Sequence, residues 1–313
     1  MSTPRSLKLP GRIRPTSIHT ARGTFAALEA QPGRGVCERR PALLLPGYTG
    51  SKEDFLPALQ SLAAAGRTVF AIDMRGQYES PAAAGRSGYA ADELAADIAA
   101  VAGQVADDES GVHLLGHSLG GLVARQTMLA GQASLLSLTL LGSGPARLGG
   151  HRAVILREVL AQLDPENGAG GDDTDELRRK VSQLWDEHLG PEARASGTPR
   201  HIIAFLHKRA LSNCPIGLIM MGRYLLECPD LTRELAAVQG AKILVMYGEN
   251  DDAWPPDVQD RMARRLNAQR VCIPGAAHSP AVEAPETTAG TLTTFWNAAE
   301  RSAGRRPSGS RAS

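Results

Sequence analysis

A serine lies between two glycines near the middle of the chain, in the segment Gly116-His117-Ser118-Leu119-Gly120. A short apolar run from Gly111 precedes it, and apolar residues at helical spacing follow it as far as Gly131. This pattern predicts a strand, a sharp turn and a helix, with Ser118 at the turn. A substrate can reach a hydroxyl placed there. The pentapeptide is weak evidence by itself, because a glycine-rich chain produces it by chance.

A serine attacks an acyl carbon only when a base takes its proton and an acid orients that base. Two later loops contain these residue types. Glu249, Asp251 and Asp252 lie in the loop just after one predicted strand, and His278 lies in the loop just after the next. The carboxyl ends of parallel strands meet at one edge of a sheet. The residues therefore predict a serine, a histidine and one of three carboxylates close together.

The elements that would position these residues alternate between strands and helices over most of the chain. Two strands at 17–20 and 24–30 are predicted to form an antiparallel hairpin at the edge of a sheet. The remaining predicted strands are apolar runs of the kind that is buried on both faces, at 41–46, 68–73, 112–115, 135–141, 241–247 and 270–273. Helical patterns between them predict a mostly parallel sheet with helices on both faces.

This alternation stops between about Pro145 and Leu235, where only helical patterns occur. An all-helical block inside an α/β alternation is typical of an inserted cap. Its apolar side chains, among them Leu160 and Met221, are expected to pack within the cap and in part to line an apolar pocket. The predicted organisation is a core at 14–144 and 236–300, a cap at 145–235, a loose N-terminal arm at 1–13 and a disordered tail at 301–313.

Composition excludes several classes of function. The 313 residues carry a formal net charge of +1, which gives no electrostatic attraction to nucleic acid or to an anionic membrane. No apolar run approaches the roughly 20 residues that span a bilayer. The N-terminus is polar and basic with no apolar stretch after it, so a cytoplasmic location is predicted. The four cysteines are scattered, which favours neither a disulfide framework nor a metal site.

Together these segments resemble the α/β-hydrolase family, from about Ser17 to Ala299. The resemblance is carried by Gly116-His117-Ser118-Leu119-Gly120-Gly121, Pro46-Gly47-Tyr48, Asp73-Met74-Arg75-Gly76, Gly248 to Asp251 and Gly275 to Pro280. It implies an α/β-hydrolase fold, in which helices flank a mostly parallel central sheet that carries an inserted all-helical cap. It also implies catalysis by a serine nucleophile that needs neither a metal nor an organic cofactor.

In this family the catalytic residues follow the chain order serine, acid, histidine. Of the eight histidines, only His278 lies after the acid loop, so it is the expected base. Asp251 lies three residues after Gly248, as the family's acid does, and is therefore preferred to its neighbour Asp252. The resemblance thus implies a catalytic triad of Ser118, Asp251 and His278.

The same resemblance assigns the binding of a tetrahedral oxyanion to two backbone N–H groups, those of Tyr48 and Leu119. Many relatives have His-Gly where this chain has Pro46-Gly47. Backbone donors survive this difference, whereas any contribution of the histidine side chain is absent.

Three other residues near the predicted site have side chains of chemical interest. His117 is adjacent to the nucleophile, but neighbouring residues on such a turn point apart, so a structural role is expected. Asp73 is expected to be a structural carboxylate at the end of a strand. Trp254 is expected to pack rather than to bind a substrate.

The expected function is hydrolysis of an ester-like bond, either a carboxylic ester, a thioester or a lactone, through an acyl-enzyme. The expected partner is a small, partly apolar substrate. An acyltransferase or a carbon–carbon bond hydrolase is compatible with the same triad, and a non-catalytic small-molecule-binding protein is an alternative of another class. Epoxide hydrolases and haloalkane dehalogenases of this fold are less expected, since they have Asp where this chain has Ser118. The sequence does not indicate an oligomeric state.

Overall fold

A computed structural model of the chain describes residues 2–33, 39–106, 111–164, 172–240 and 242–303. Within these ranges eight strands form a single sheet in the order β1-β2-β4-β3-β5-β6-β7-β8. The strands are β1 Ile13–Thr20, β2 Gly23–Ala30, β3 Arg39–Leu45, β4 Arg67–Ile72, β5 Val112–His117, β6 Leu135–Leu141, β7 Lys242–Gly248 and β8 Gln269–Ile273. β1 and β2 pair antiparallel, as do β2 and β4, and the other pairs are parallel.

Twelve α-helices are described alongside this sheet. They are α1 Leu56–Ala64, α2 Ala91–Val105, α3 Leu119–Ala130, α4 Gly150–Leu163, α5 Thr174–Leu184, α6 Gly190–Ala195, α7 Arg200–Ser212, α8 Pro215–Glu227, α9 Thr232–Ala236, α10 Pro256–Arg265, α11 Pro280–Glu283 and α12 Pro285–Ala303. Alternate residues of β3 pack on opposite faces of the sheet. Leu43 and Leu45 join the core under α2 and α3, while Leu44 joins the core under α1 and α12. The continuous apolar run is therefore buried on both sides.

The strand register brings the predicted site loops to one edge of the sheet. Leu45 at the end of β3 is paired with Gly116 in β5, and His117 is paired with the last residue of β6. Gly248 at the end of β7 is paired with Ile273 at the end of β8. The loops that follow β3, β5, β7 and β8 consequently emerge side by side.

Only helices are described between β6 and β7. They run from α4 to α9, and a π-helical turn at Trp185–Leu189 continues α5. Pro215 is the first residue of α8 and separates this helix from α7, because proline is accommodated in the first turn of a helix but not in its interior. Leu160 and Met221 pack into the same apolar cluster as the sheet, whereas Phe205 packs with Trp185 in a cluster within the insertion.

The fold class is confirmed, with differences at the chain ends. β1 begins at Ile13, inside the segment predicted to be a loose arm. The preceding residues contact the body of the protein, because the Ser2 carbonyl accepts a hydrogen bond from Arg209 and the Ser2 hydroxyl lies 2.9 Å from that of Ser279. Residues 301–303 of the predicted tail continue α12, and the rest of the tail, 304–313, lies outside the described residues.

No helix within the described ranges combines the length and apolar character needed to cross a bilayer. The cytoplasmic location remains a prediction.

A buried ion pair joins the helical insertion to the core. The Arg209 guanidinium of α7 lies 2.7 Å from the Asp54 carboxylate, in the turn that precedes α1. Both side chains are buried. Burial raises the pKa of Asp54, and the charge and hydrogen bond of Arg209 oppose that shift. Each charge is therefore tolerated because the other is present.

We predict that Arg209→Met lowers the free energy of unfolding by about 3–5 kcal/mol, because it leaves the Asp54 charge buried without its partner. Urea denaturation measures the change. Arg261→Met is the matched control, since Arg261 pairs with Asp257 on an exposed helix face and its loss should have no measurable effect. An Arg209→Met chain that unfolds at the wild-type urea concentration would refute the prediction.

Candidate active site

Ser118 lies at a strained turn between β5 and α3. Its φ of 54° and ψ of −119° fall in a region that residues other than glycine rarely adopt, at a cost of about 1–3 kcal/mol. Hydrogen bonds fix the backbone on both sides, since the Ser118 N–H donates to the Leu141 carbonyl and the Ser118 carbonyl accepts from the Ser143 hydroxyl. The Ser118 hydroxyl faces the loop after β8, where His278 lies 3.0 Å away.

Gly120 permits the close packing that this turn requires. A Cβ atom at this position would lie 2.5 Å from the carbonyl oxygen of Pro46 and 2.7 Å from that of Leu45. Any side chain would therefore push α3 away from the loop that follows β3. The glycine explains how the serine turn and this loop come into contact.

His278 links the serine to the acid. Its Nε2 lies 3.0 Å from the Ser118 Oγ, and its Nδ1 lies 2.9 Å from the Asp251 Oδ1. A carboxylate can only accept a hydrogen bond, so Nδ1 carries the proton and Nε2 is left to accept from the serine hydroxyl. The structure thus brings together all three residues of the predicted triad.

Asp251 is held as an ionised, oriented carboxylate. Burial raises its pKa, but hydrogen bonds from His278, the Ala253 N–H and the Gln259 amide outweigh burial and bring the pKa below its usual value. Gln259 is fully buried on α10 and also donates to the Trp254 carbonyl. Sequence reasoning missed Gln259, because it lies on a helix outside the predicted site loops and nothing in its sequence context marks it.

The other acidic residues of this loop have different partners. Asp252 is largely exposed and forms a bidentate ion pair with Arg152 of α4. Glu249 accepts a hydrogen bond from the Gly275 N–H and so supports the loop that carries His278. Among these three carboxylates, Asp251 alone hydrogen-bonds to the histidine.

His117 is buried directly beside the triad. Its Nε2–H donates to the backbone carbonyl of His278 over 2.7 Å, and the two rings lie 4.9 Å apart. Burial, followed by the neighbouring charge of His278, lowers the pKa of His117 to about 3. His117 is therefore a neutral donor that supports the loop of His278, in agreement with the structural role expected for it.

The two residues predicted to supply the oxyanion donors both lie near the serine. Leu119 is the first residue of α3, so its N–H has no carbonyl within the helix to bind. Tyr48 follows Gly47, where a Cβ atom would be 3.3 Å from the Ser118 Cβ. Within the described ranges, neither N–H donates a hydrogen bond to another protein group. The Tyr48 hydroxyl donates to the Leu218 carbonyl of α8.

Asp73 and Trp254 stay out of the catalytic group. The Asp73 carboxylate accepts from both the backbone N–H and the ammonium of Lys52, at 2.8 and 2.7 Å. Trp254 is buried and donates to the Ala146 carbonyl.

In the part of the chain that the structure describes, no group of three or more His, Cys, Asp or Glu residues could hold a metal ion. That the reaction needs no metal stays a prediction.

Comparison with known proteins identifies the family. Residues 42–291 match the profile described as "Alpha/beta hydrolase family". The chain belongs to the α/β-hydrolase family. The predictions of this family and of its fold are therefore confirmed.

Individual α/β-hydrolases resemble the chain to different extents. RutD of Variovorax paradoxus strain S110, a candidate carbamate hydrolase, is 36% identical over 130 residues, which cover 42% of this chain and 47% of the relative. The match thus spans about half the length of this curated relative.

Two solved structures are similar over nearly the whole chain. A candidate lipase of Acinetobacter baumannii AYE has a TM-score of 0.70 at 18% identity and covers 93% of each chain. A thermophilic esterase of Thermogutta terrifontis has a TM-score of 0.63 at 24% identity and covers 91% of this chain and 99% of its own. At these identities the likeness concerns the α/β-hydrolase fold.

The buried neutral His117 makes the stability of the folded chain sensitive to acid. It stays neutral in the folded state down to about pH 3 but binds a proton in the unfolded state below about pH 6.5. We predict that the free energy of unfolding falls as the pH drops through this window, by up to about 1.4 kcal/mol per pH unit from this residue. His117→Gln removes the titration and should flatten the curve in urea unfolding between pH 7 and pH 4. Parallel wild-type and variant curves would contradict this assignment.

Proposed function

We propose that the chain is a serine hydrolase that cleaves an ester-like bond through an acyl-enzyme. One observation carries the proposal, the continuous hydrogen-bonded path from the Ser118 Oγ through the imidazole of His278 to Asp251. Hydrogen bonds of this length connect a nucleophile to its base and the base to its orienting acid. The buried carboxylate is ionised, which suits it to stabilise the imidazolium formed during attack.

In the first half of the reaction the Ser118 Oγ attacks the acyl carbon and its proton passes to the Nε2 of His278. The negative charge that develops on the acyl oxygen is stabilised by the N–H groups of Tyr48 and Leu119. His278 then gives the proton to the leaving group as the bond to it breaks. The acyl group remains attached to the serine.

In the second half a water molecule attacks the acyl-enzyme. His278 takes a proton from the water, the same two N–H groups stabilise the second oxyanion, and the proton returns to the Ser118 Oγ as the acid leaves. Asp251 keeps the imidazole in one tautomer throughout. Every proton is accounted for by the serine, the histidine, the leaving group and water.

The substrate is expected to be small and partly apolar, because apolar side chains of α4 and α8 pack in the same cluster as the sheet and lie near Tyr48. Carboxylic esters, thioesters and lactones all present an acyl carbon of the required kind. Carbamates belong in the same screen, since the curated relative RutD is described as a candidate hydrolase of that class. A hydrolysis screen across acyl length and leaving group distinguishes these classes.

Labelling with a fluorophosphonate probe tests the nucleophile. We expect one equivalent of probe per wild-type chain and none on Ser118→Ala, because the probe reacts with a serine that a neighbouring base activates. The same variant should lose roughly 10⁴-fold or more of kcat on any ester that the wild type hydrolyses. Circular dichroism verifies that the variant is folded. A folded wild-type chain that takes up no probe would favour a non-catalytic binding protein.

Paired amide substitutions test the acid. Asp251→Asn should reduce kcat by roughly 10⁴-fold, because an amide in this position supports the wrong histidine tautomer. Asp252→Asn is the matched control at the adjacent position, and its kcat should stay within a few-fold of wild type because its partner is Arg152 rather than His278. The reverse pattern, with Asp252→Asn inactive and Asp251→Asn active, would overturn the assignment.

A further inference from the structure

Gln77 is a buried amide in the loop after β4, a segment to which the proposed mechanism assigns no role. Its Nε2 donates two hydrogen bonds to successive carbonyl groups of the loop after β3, to Gly47 over 2.8 Å and to Tyr48 over 3.1 Å. The side chain is fully buried. One amide group therefore contacts the backbone on both sides of the Tyr48 residue.

The orientation of this amide follows from its third contact. The Gln77 Oε1 accepts a hydrogen bond from the backbone N–H of Met74, 3.2 Å away. An N–H can only donate, so the amide oxygen must face Met74 and the amide nitrogen must face the two carbonyls. In the flipped orientation the amide nitrogen would face the Met74 N–H, and the amide oxygen would face the carbonyls of Gly47 and Tyr48. Neither arrangement allows a hydrogen bond.

Holding the Gly47 carbonyl fixes the N–H of Tyr48, because both belong to one planar peptide unit. In a trans peptide the C=O and the N–H point in opposite directions. The Gly47 oxygen is directed at Gln77 and also accepts a hydrogen bond from the Gly50 N–H over 3.1 Å, so the Tyr48 N–H must point to the other side. A hydrogen bond to the carbonyl also polarises the peptide and strengthens its N–H as a donor. Gly47 lies against Ser118, because a Cβ atom on Gly47 would be only 3.3 Å from the Ser118 Cβ.

The backbone around Gln77 is held in place from outside the loop. Tyr78 has a φ of 38°, which is strained for a residue with a side chain. Its N–H donates to the Asn213 side chain, and the Gly76 carbonyl accepts from the Cys214 N–H over 2.8 Å. These contacts on either side of Gln77 come from the junction of α7 and α8. They keep the glutamine turned towards the loop after β3.

We propose that Gln77 is a positioning residue that aims the Tyr48 N–H at the oxyanion. The inference rests on the proposed function, since it gives a task to one of the two oxyanion donors. Gln77 touches neither the substrate nor the reacting atoms. It acts through the orientation and polarity of the peptide between Gly47 and Tyr48.

Gln77→Met tests the proposal, because methionine has a similar length and no N–H to donate. We expect kcat on an ester to fall by roughly 10- to 100-fold with KM changed by no more than a few-fold, which is less than the loss on removing a donor outright. A trifluoromethyl ketone with the same acyl group forms a charged tetrahedral adduct with the serine, and its inhibition constant should rise by a similar factor. The preference for an oxygen ester over the matching thionoester should fall, because sulfur accepts hydrogen bonds poorly.

Ser80→Ala is the matched control in the same loop. The Ser80 hydroxyl is buried and hydrogen-bonded to the Asp73 carbonyl and the Ala26 N–H, but it does not contact Gly47 or Tyr48. Its loss should lower stability in urea without changing the preference for the oxygen ester. If Gln77→Met keeps the wild-type kcat, or if both variants lose kcat with this preference unchanged, Gln77 has no positioning role. A wild-type chain that hydrolyses no ester and binds no fluorophosphonate would overturn the proposed function as well.

Discussion

The close approach of the serine turn to the loop after β3 is the constraint on which the candidate site depends. Gly120 lies so near the carbonyls of Leu45 and Pro46 that a single added carbon would separate the two segments. This contact places the loop that carries Tyr48 beside Ser118 and Leu119. Backbone N–H groups can stabilise an oxyanion only if the packing of their loops holds them in place before the reaction. A displacement of about 1 Å at a reacting group reduces the rate severely. The strain at Ser118 persists because the sheet and α3 determine the turn from both ends.

Buried neutral polar groups then give the site its precision. Gln259 orients Asp251, His117 supports the His278 backbone, and Gln77 supports the loop of Tyr48. An unpaired buried donor or acceptor costs about 1–3 kcal/mol, so each of these side chains is confined to the orientation that satisfies its neighbours. Neutral groups also avoid placing a permanent charge beside His278. The lowered pKa of His117 is consistent with this arrangement, because burial keeps that ring uncharged.

Patterns local in sequence predicted much of the fold and the residues of the candidate triad. Buried strands are continuous apolar runs, and the loops that follow parallel strands meet at one sheet edge, which brought Ser118 and His278 together in the prediction. The resemblance to the α/β-hydrolase family then selected His278 as the base and Asp251 as the acid. Gln77 and Gln259 could not be found in this way, because their roles depend on contacts with backbone or side chains brought near by the sheet register and by a helix face. The contacts of Ser2 were missed for the same reason, since its partners Arg209 and Ser279 are more than 200 residues away.

The helical insertion is joined to the same loops that would stabilise the transition state. Its helix α8 accepts a hydrogen bond from the Tyr48 side chain at Leu218, and the junction before α8 donates to Gly76, next to Gln77. A change in the position of α8 must therefore strain the loop that carries one of the proposed oxyanion donors. If the insertion selects the substrate, substrate choice and catalytic rate depend on the same contacts. A substrate that displaces α8 also disturbs the peptide that carries the Tyr48 N–H. Binding energy gained in the insertion can in this way be expressed in kcat as well as in KM.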